Sequence, residues 1–181
     1  MQKHSKFDDT NPIIDEKPDE GYYILEIVNA TEGMSKNGNE PLLKFEFDIL
    51  EGDYAGFFTS LSQKFNKNYL LQYYQLTNNE KSLPFFKRVV LNIEASNIGY
   101  KFDFTVHSLR GKKVGAYLKK YYYESAKGPR EYLKVDKLYT VGKIRELLGK
   151  QITERLTAGT GNNNERYQSN EFKPNEDDLP W

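Results

Sequence analysis

Leu43, Phe45, Phe47 and Ile49 alternate with Lys44, Glu46 and Asp48. A strand turns successive side chains to opposite faces, so this run is one strand with an apolar face toward a core and a charged face toward water. Ahead of it, Ser35-Lys36-Asn37-Gly38-Asn39 carries an Asn-Gly pair, and residues 22–30 are β-branched and aromatic. The three stretches together predict a β-hairpin. In that reading Glu26, Glu46 and Asp48 are ordinary solvent-facing strand positions.

Further along, residues 57–63 read as a third short strand, and the spacing then predicts helix over 68–76. A second helix is predicted after Ser82, its cap, with Pro84 in the first turn and Phe86, Val89, Val90 and Ile93 on one side. Residues 112–123 and 131–139 are predicted as two more strands. A short last helix over 140–148 is expected, with Thr140 as cap and Gly149 just past its end. Three strands, helical material and two strands match the element order of an oligonucleotide/oligosaccharide-binding (OB) barrel. The expected fold is therefore mainly β with a helical insertion: a five-stranded OB-like barrel over residues 21–150. Residues 1–20 are expected to form a flexible acidic arm, and residues 151–181 a flexible tail with the polar spacer Gly159-Thr160-Gly161-Asn162-Asn163-Asn164.

The chain has 181 residues, enough for one domain with tails, and no cysteine. Disulfides and thiolate metal sites are thereby excluded as supports of the fold, and a reducing setting, the cytoplasm of a bacterial host cell, is expected. The first residues lack the apolar core of a secretion signal, and no apolar run approaches a membrane span, so no membrane association is expected.

A formal net charge of zero hides segregation along the chain. Residues 1–20 hold 3 basic and 6 acidic side chains, residues 21–155 hold 21 and 15, and residues 156–181 hold 2 and 5. The basic excess peaks over residues 110–155, with 13 Lys or Arg against 5 Asp or Glu. A polyanion is the natural partner of such a segment, because each neutralised phosphate releases condensed counterions.

Within it, Lys112-Lys113-Val114-Gly115-Ala116-Tyr117-Leu118-Lys119-Lys120-Tyr121-Tyr122-Tyr123 interleaves lysines and rings. Val114, Ala116 and Leu118 suit a barrel interior, which places Lys113, Tyr117, Lys119, Tyr121 and Tyr123 outside. The paired strand adds Tyr132, Lys134 and Asp136 on one face, and the connecting loop adds Lys127 and Arg130. Cations following phosphates while aromatic faces stack unpaired bases is the chemistry of a sequence-independent single-strand groove. Lys36, Lys44 and Phe57 are further candidates for DNA contact. The plain alternative is that tyrosines merely suit strands.

The chain closes with Asn175-Glu176-Asp177-Asp178-Leu179-Pro180-Trp181. This resembles the C-terminal tip of bacterial single-stranded-DNA-binding proteins, which ends in aspartates, Ile or Leu, Pro and Phe; here Trp181 stands where Phe is usual. The resemblance implies recruitment of host or phage replication and recombination proteins through Asp177, Asp178, Leu179, Pro180 and Trp181. A pocket would take the ring while basic groups meet the carboxylates. The acidic tail is also expected to lie in the basic groove when DNA is absent, so that deleting residues 172–181 preserves or raises DNA affinity. Residues 21–148 are similar to a family of phage-encoded barrel proteins assigned to single-strand binding in replication, recombination and repair modules. The similarity lies in Gly21-Tyr22-Tyr23 with Met34-Ser35-Lys36-Asn37-Gly38-Asn39, in Phe47-Asp48-Ile49-Leu50-Glu51-Gly52-Asp53-Tyr54-Ala55-Gly56, and in Leu109-Arg110-Gly111-Lys112-Lys113-Val114-Gly115-Ala116.

His4 and His107 are the only histidines, and no Gly-x-x-x-x-Gly-Lys-Ser/Thr loop occurs. No catalytic residue, metal or cofactor is therefore expected. Two rivals stay open: a protein-interaction module, adaptor or inhibitor, using the barrel without nucleic acid, and binding of duplex or structured DNA. A homo-oligomer is compatible with either.

Overall fold

The computed structural model describes residues 17–159 apart from 37, 39, 126 and 127, and of residues 152–159 the backbone alone. Lys127, the first sixteen residues and the tip Asp177–Trp181, for which the sequence sets expectations, lie outside these.

The first hairpin forms as the alternation requires. Strand β1 (Gly21–Met34) runs antiparallel to β2 (Pro41–Ile49), with Leu25 opposite Ile49 and Met34 opposite Pro41. Gly38 sits in the turn at φ 70°, a left-handed geometry that glycine adopts without Cβ strain. One extra β1 residue, Val28, lies between the Ile27–Phe47 and Asn29–Glu46 pairs. Such a bulge sharpens the twist of the strand and lets the sheet curl.

Between residues 57 and 76 the structure reverses the sequence-based assignment. Residues Phe57–Phe65 are helix α1, not a strand, and Leu71–Leu76 are strand β3, not a helix. The deciding group for α1 is Asp48, buried at the end of β2: its carboxylate accepts the backbone N–H groups of Phe58 at 3.0 Å and Thr59 at 2.8 Å. That satisfies two of the four orphan donors at a helix start and favours its positive end. Glu46 is buried as well, accepting hydrogen bonds from Lys44, Asn29 and Asn68. Neither acid is the water-facing strand residue that alternation alone implies, because α1 and the loop after it cover that face.

In β3 the pairs Leu71–Phe47, Tyr73–Phe45 and Gln75–Leu43 point inward, and Gln72 and Tyr74 lie on the opposite face. Helix α2 (Leu83–Ser96) brings Val89 and Ile93 into the core, as expected from their spacing, with Pro84 in its first turn. Ser82 occupies the cap position, yet its hydroxyl donates to the Asn79 carbonyl at 3.1 Å instead of accepting from the helix.

Strands β4 (Lys113–Ser125) and β5 (Gly128–Tyr139) form the second expected hairpin, and helix α3 spans Val141–Gly159. Thr140 caps α3 through its Oγ1, which accepts from Lys143 N at 3.1 Å. Gly149 does not end this helix; the Glu146–Lys150 ion pair at 2.8 Å bridges the position, and the helix runs on into the stretch expected to be loose tail. Residues 17–20, assigned from sequence to the loose arm, are placed against the second hairpin.

The five strands form one antiparallel sheet in the order β3-β2-β1-β4-β5, and its two edge strands contact each other. Leu25, Ile27, Phe45, Phe47, Val114 and Leu118 fill the inside of the curl, and α2 closes it. A second apolar cluster on the outer side of the sheet is built by Ile24, Val141 and Ile144, where α3 lies over Gly115. Among the described residues no helix is long and apolar enough to cross a membrane.

Candidate nucleic-acid interface

The β4–β5 register decides which side chains share a face. Lys119 pairs with Lys134, Tyr121 with Tyr132 and Tyr123 with Arg130, and residues directly opposite in an antiparallel ladder project to the same side. Val114, Ala116 and Leu118 are wholly buried on the other side, so the lysines and rings stand outside the core. The rings are in contact: Tyr121 and Tyr132 have centroids 5.9 Å apart, and Tyr123 and Tyr132 5.6 Å. Lys134 Nζ lies 5.7 Å from the Tyr121 ring centre, within cation–π range.

Toward the body of the domain the same row continues. Tyr117 packs on Tyr22 at 5.0 Å, and Tyr22 meets Tyr139 at 6.3 Å, with Lys137 Nζ 5.5 Å from the Tyr139 ring. From Tyr117 to Tyr123 the row extends about 20 Å at the usual rise of a strand. It bends at Asp136, which lies as an extra β5 residue between the Leu118–Val135 and Tyr117–Lys137 pairs. The Tyr121 hydroxyl donates to Asp136 at 3.2 Å.

An acidic segment is seated beside these rings. The Glu20 carboxylate accepts the Tyr117 hydroxyl at 2.6 Å and the Lys120 backbone N–H at 2.9 Å. Those two hydrogen bonds hold the Glu20 carboxyl below its ordinary range, and burial, reinforced by Glu20, pushes the Tyr117 phenol up. Asp19 pairs with the Lys120 ammonium at 2.6 Å, which lowers the Asp19 carboxyl and raises Lys120. Lys17 pairs with Glu131.

Seven sequence candidates thus share one face: Tyr117, Lys119, Tyr121, Tyr123, Arg130, Tyr132 and Lys134. Four do not join it. Lys113 is on the same strand but beyond Gly115, where Ile144 of α3 and its cap Thr140 sit against the sheet and separate it from Tyr117. Lys36 lies in the turn past Met34, at the end of β1 away from Gly21, the residue opposite Leu118. Lys44 is engaged by Glu46 at 2.7 Å. Phe57 begins α1 and packs edge-on against Tyr54 and Phe58. Lys127 falls outside the described residues.

Sequence reasoning missed Tyr22, Tyr139, Lys137 and Glu20. Tyr22 read as a generic strand residue because its neighbour Tyr117 is set by the β1–β4 pairing, which has no local signal. The alternation of β5 would have marked Lys137 and Tyr139 but for the extra residue at Asp136. Among the described residues no group of three or more histidines and carboxylates is placed to hold a metal ion. Chemically, the face offers flat π-surfaces, ammonium and guanidinium groups and a bound carboxylate, a set suited to holding an anionic aromatic polymer. Searches with the chain found no matching protein-family model and no matching curated protein.

Proposed function

We propose that this chain binds single-stranded DNA without reading its sequence, on the outer face of the β4–β5 hairpin of an OB-type barrel. The supporting observation is the row of mutually contacting tyrosines flanked by Lys119, Arg130, Lys134 and Lys137 on a face outside the core. Rings stack on any base, and the cations follow the phosphates. The strand order β3-β2-β1-β4-β5, with β3 meeting β5, supports the OB reading, since that barrel closes between those two strands. The role is that of a phage replication and recombination accessory in the bacterial cytoplasm, whose tip at Asp177, Asp178, Leu179, Pro180 and Trp181 recruits partner proteins.

Fluorescence anisotropy of the full chain with labelled oligo-dT across a salt series tests this reading. Binding at low salt that weakens as salt rises, and survives competition by duplex DNA, is the expected result. No binding at low salt overturns the reading in favour of a protein-interaction module. Loss to duplex competitor would move the substrate to double-stranded DNA.

A further inference from the structure

Beside the hairpin, between the β5 edge and the wall made by α1, β3 and the loop joining them, lies a cleft of about 670 Å³. Leu61, Tyr69 and Tyr74 line one wall, and Tyr123, Tyr132 and Lys134 line the other. We propose that this cleft is a nucleotide-binding site, into which a strand lying on the hairpin face turns one unstacked base across the β5 edge. The proposal rests on the single-strand reading of the hairpin face and extends it to residues that the face does not contain.

Continuity is the first support. Tyr132 and Lys134 belong both to the hairpin face and to the cleft, because β5 is an edge strand whose side chains border both surfaces, and Tyr123 of β4 joins them through its ring contact with Tyr132 at 5.6 Å. A chain stacked on Tyr132 is therefore already at the mouth of the cleft.

Ring availability is the second. Tyr69, Tyr74, Tyr123 and Tyr132 are 40%, 53%, 47% and 46% exposed, and all four line this one cavity. Two of the rings are braced: the Tyr74 hydroxyl donates to Gln72 at 2.6 Å, and Tyr69 packs edge-on against Phe65 at 5.9 Å. Flat faces held in place lose little freedom when a base stacks on them. The volume lies within the usual range for small-molecule sites.

Charge is the third. Lys134 and Lys120 stand on the hairpin wall and Lys17 at the rim, Lys120 already holding Asp19 at 2.6 Å. The one carboxylate in the lining, Glu131, is paired with Lys17 and lies 3.8 Å from the Lys120 ammonium, so the cleft does not confront a phosphate with an uncompensated anion. Pro18 lies buried at the same cleft, where an apolar ring is already accommodated.

The test compares two double variants with the native full-length chain in oligo-dT anisotropy, each checked for folding by thermal unfolding. Tyr69→Ala/Tyr74→Ala changes only the α1–β3 wall, and Tyr117→Ala/Tyr121→Ala changes only the hairpin face. The expected result is a loss of affinity of about 5- to 150-fold for the cleft variant, the equivalent of one stacked base. Unchanged affinity in the cleft variant, with the hairpin variant impaired, overturns the cleft site and leaves the hairpin reading standing. Absence of oligo-dT binding by the native chain overturns both. If the double variant fails to fold, Tyr69→Ala alone, outside the sheet, decides on the same terms.

Discussion

The Tyr117 hydroxyl donates to the Glu20 carboxylate over 2.6 Å, so an acid just ahead of β1 is anchored in the row of rings and cations on the second hairpin. A strand bound there brings phosphates toward the same groups. Glu20→Gln should therefore tighten oligo-dT binding several-fold at low ionic strength, with the gain shrinking as salt screens the charges. Weaker binding by the variant, measured by anisotropy, would contradict this.

Lys119 and Lys134 face each other across the ladder and are both exposed. Each phosphate contact on a single strand contributes about 0.7 to the slope of log affinity against log salt. The Lys119→Ala/Lys134→Ala variant should lower that slope by about 1.4 while leaving the unfolding temperature nearly unchanged. A slope equal to that of the native chain would place the phosphates elsewhere.

Asp48 holds the backbone N–H groups of Ile49, Phe58 and Thr59 from a buried position. Asp48→Ala leaves those donors without the carboxylate and removes the cap of α1, which should cost about 2 kcal/mol. Urea unfolding measures it. Because α1 forms part of the cleft wall, the same substitution should also blunt the contribution of Tyr69 to oligo-dT binding.

Burial pushes the Glu46 carboxyl up, but hydrogen bonds from Lys44 at 2.7 Å, Asn29 at 3.1 Å and Asn68 at 2.7 Å outweigh it and hold the group below its ordinary value. A depressed folded-state value means the stabilisation is complete above the unfolded carboxyl range, around pH 4.5, and disappears as pH falls through the folded value. Urea midpoints between pH 6 and pH 3 should fall for the native chain and fall less for Glu46→Gln. Parallel curves would remove Glu46 as a source of acid sensitivity.

A Cβ at Gly115 would overlap Ile144 Cγ1 and come within 2.8 Å of the Thr140 carbonyl oxygen. Gly115→Ala should therefore lift α3 from the sheet and cost about 1–3 kcal/mol by overpacking. A thermal unfolding midpoint equal to that of the native chain would show that α3 yields without cost.

How far the sequence discloses this architecture depends on where each residue's deciding contact lies. The alternation in β2 and the spacing of Val89 and Ile93 are local signals, and both elements form where they predict. The helical start of α1 turns on Asp48, ten residues before the N–H group of Phe58 that it accepts, and β3 on its pairing with β2, and no window over residues 57–76 contains either partner. The site was legible in part for the same reason. Tyr117, Lys119, Tyr121 and Tyr123 follow from period-2 counting on one strand, whereas Tyr22 enters through strand pairing and Tyr69 and Tyr74 through the meeting of the sheet's two edges. Lys113 satisfied the counting rule and was separated by a helix that the rule does not see.

Since α3 crosses the outer sheet at Gly115, with Tyr22 and Tyr139 packed against its apolar cluster, the track of rings is a blind alley. It is stopped at the helix and runs out along β4 and β5, with the cleft at its side. A polymer laid along it as proposed therefore meets a wall at α3 and leaves along the hairpin or sideways over the β5 edge into the cleft, so its path on a single molecule is directional.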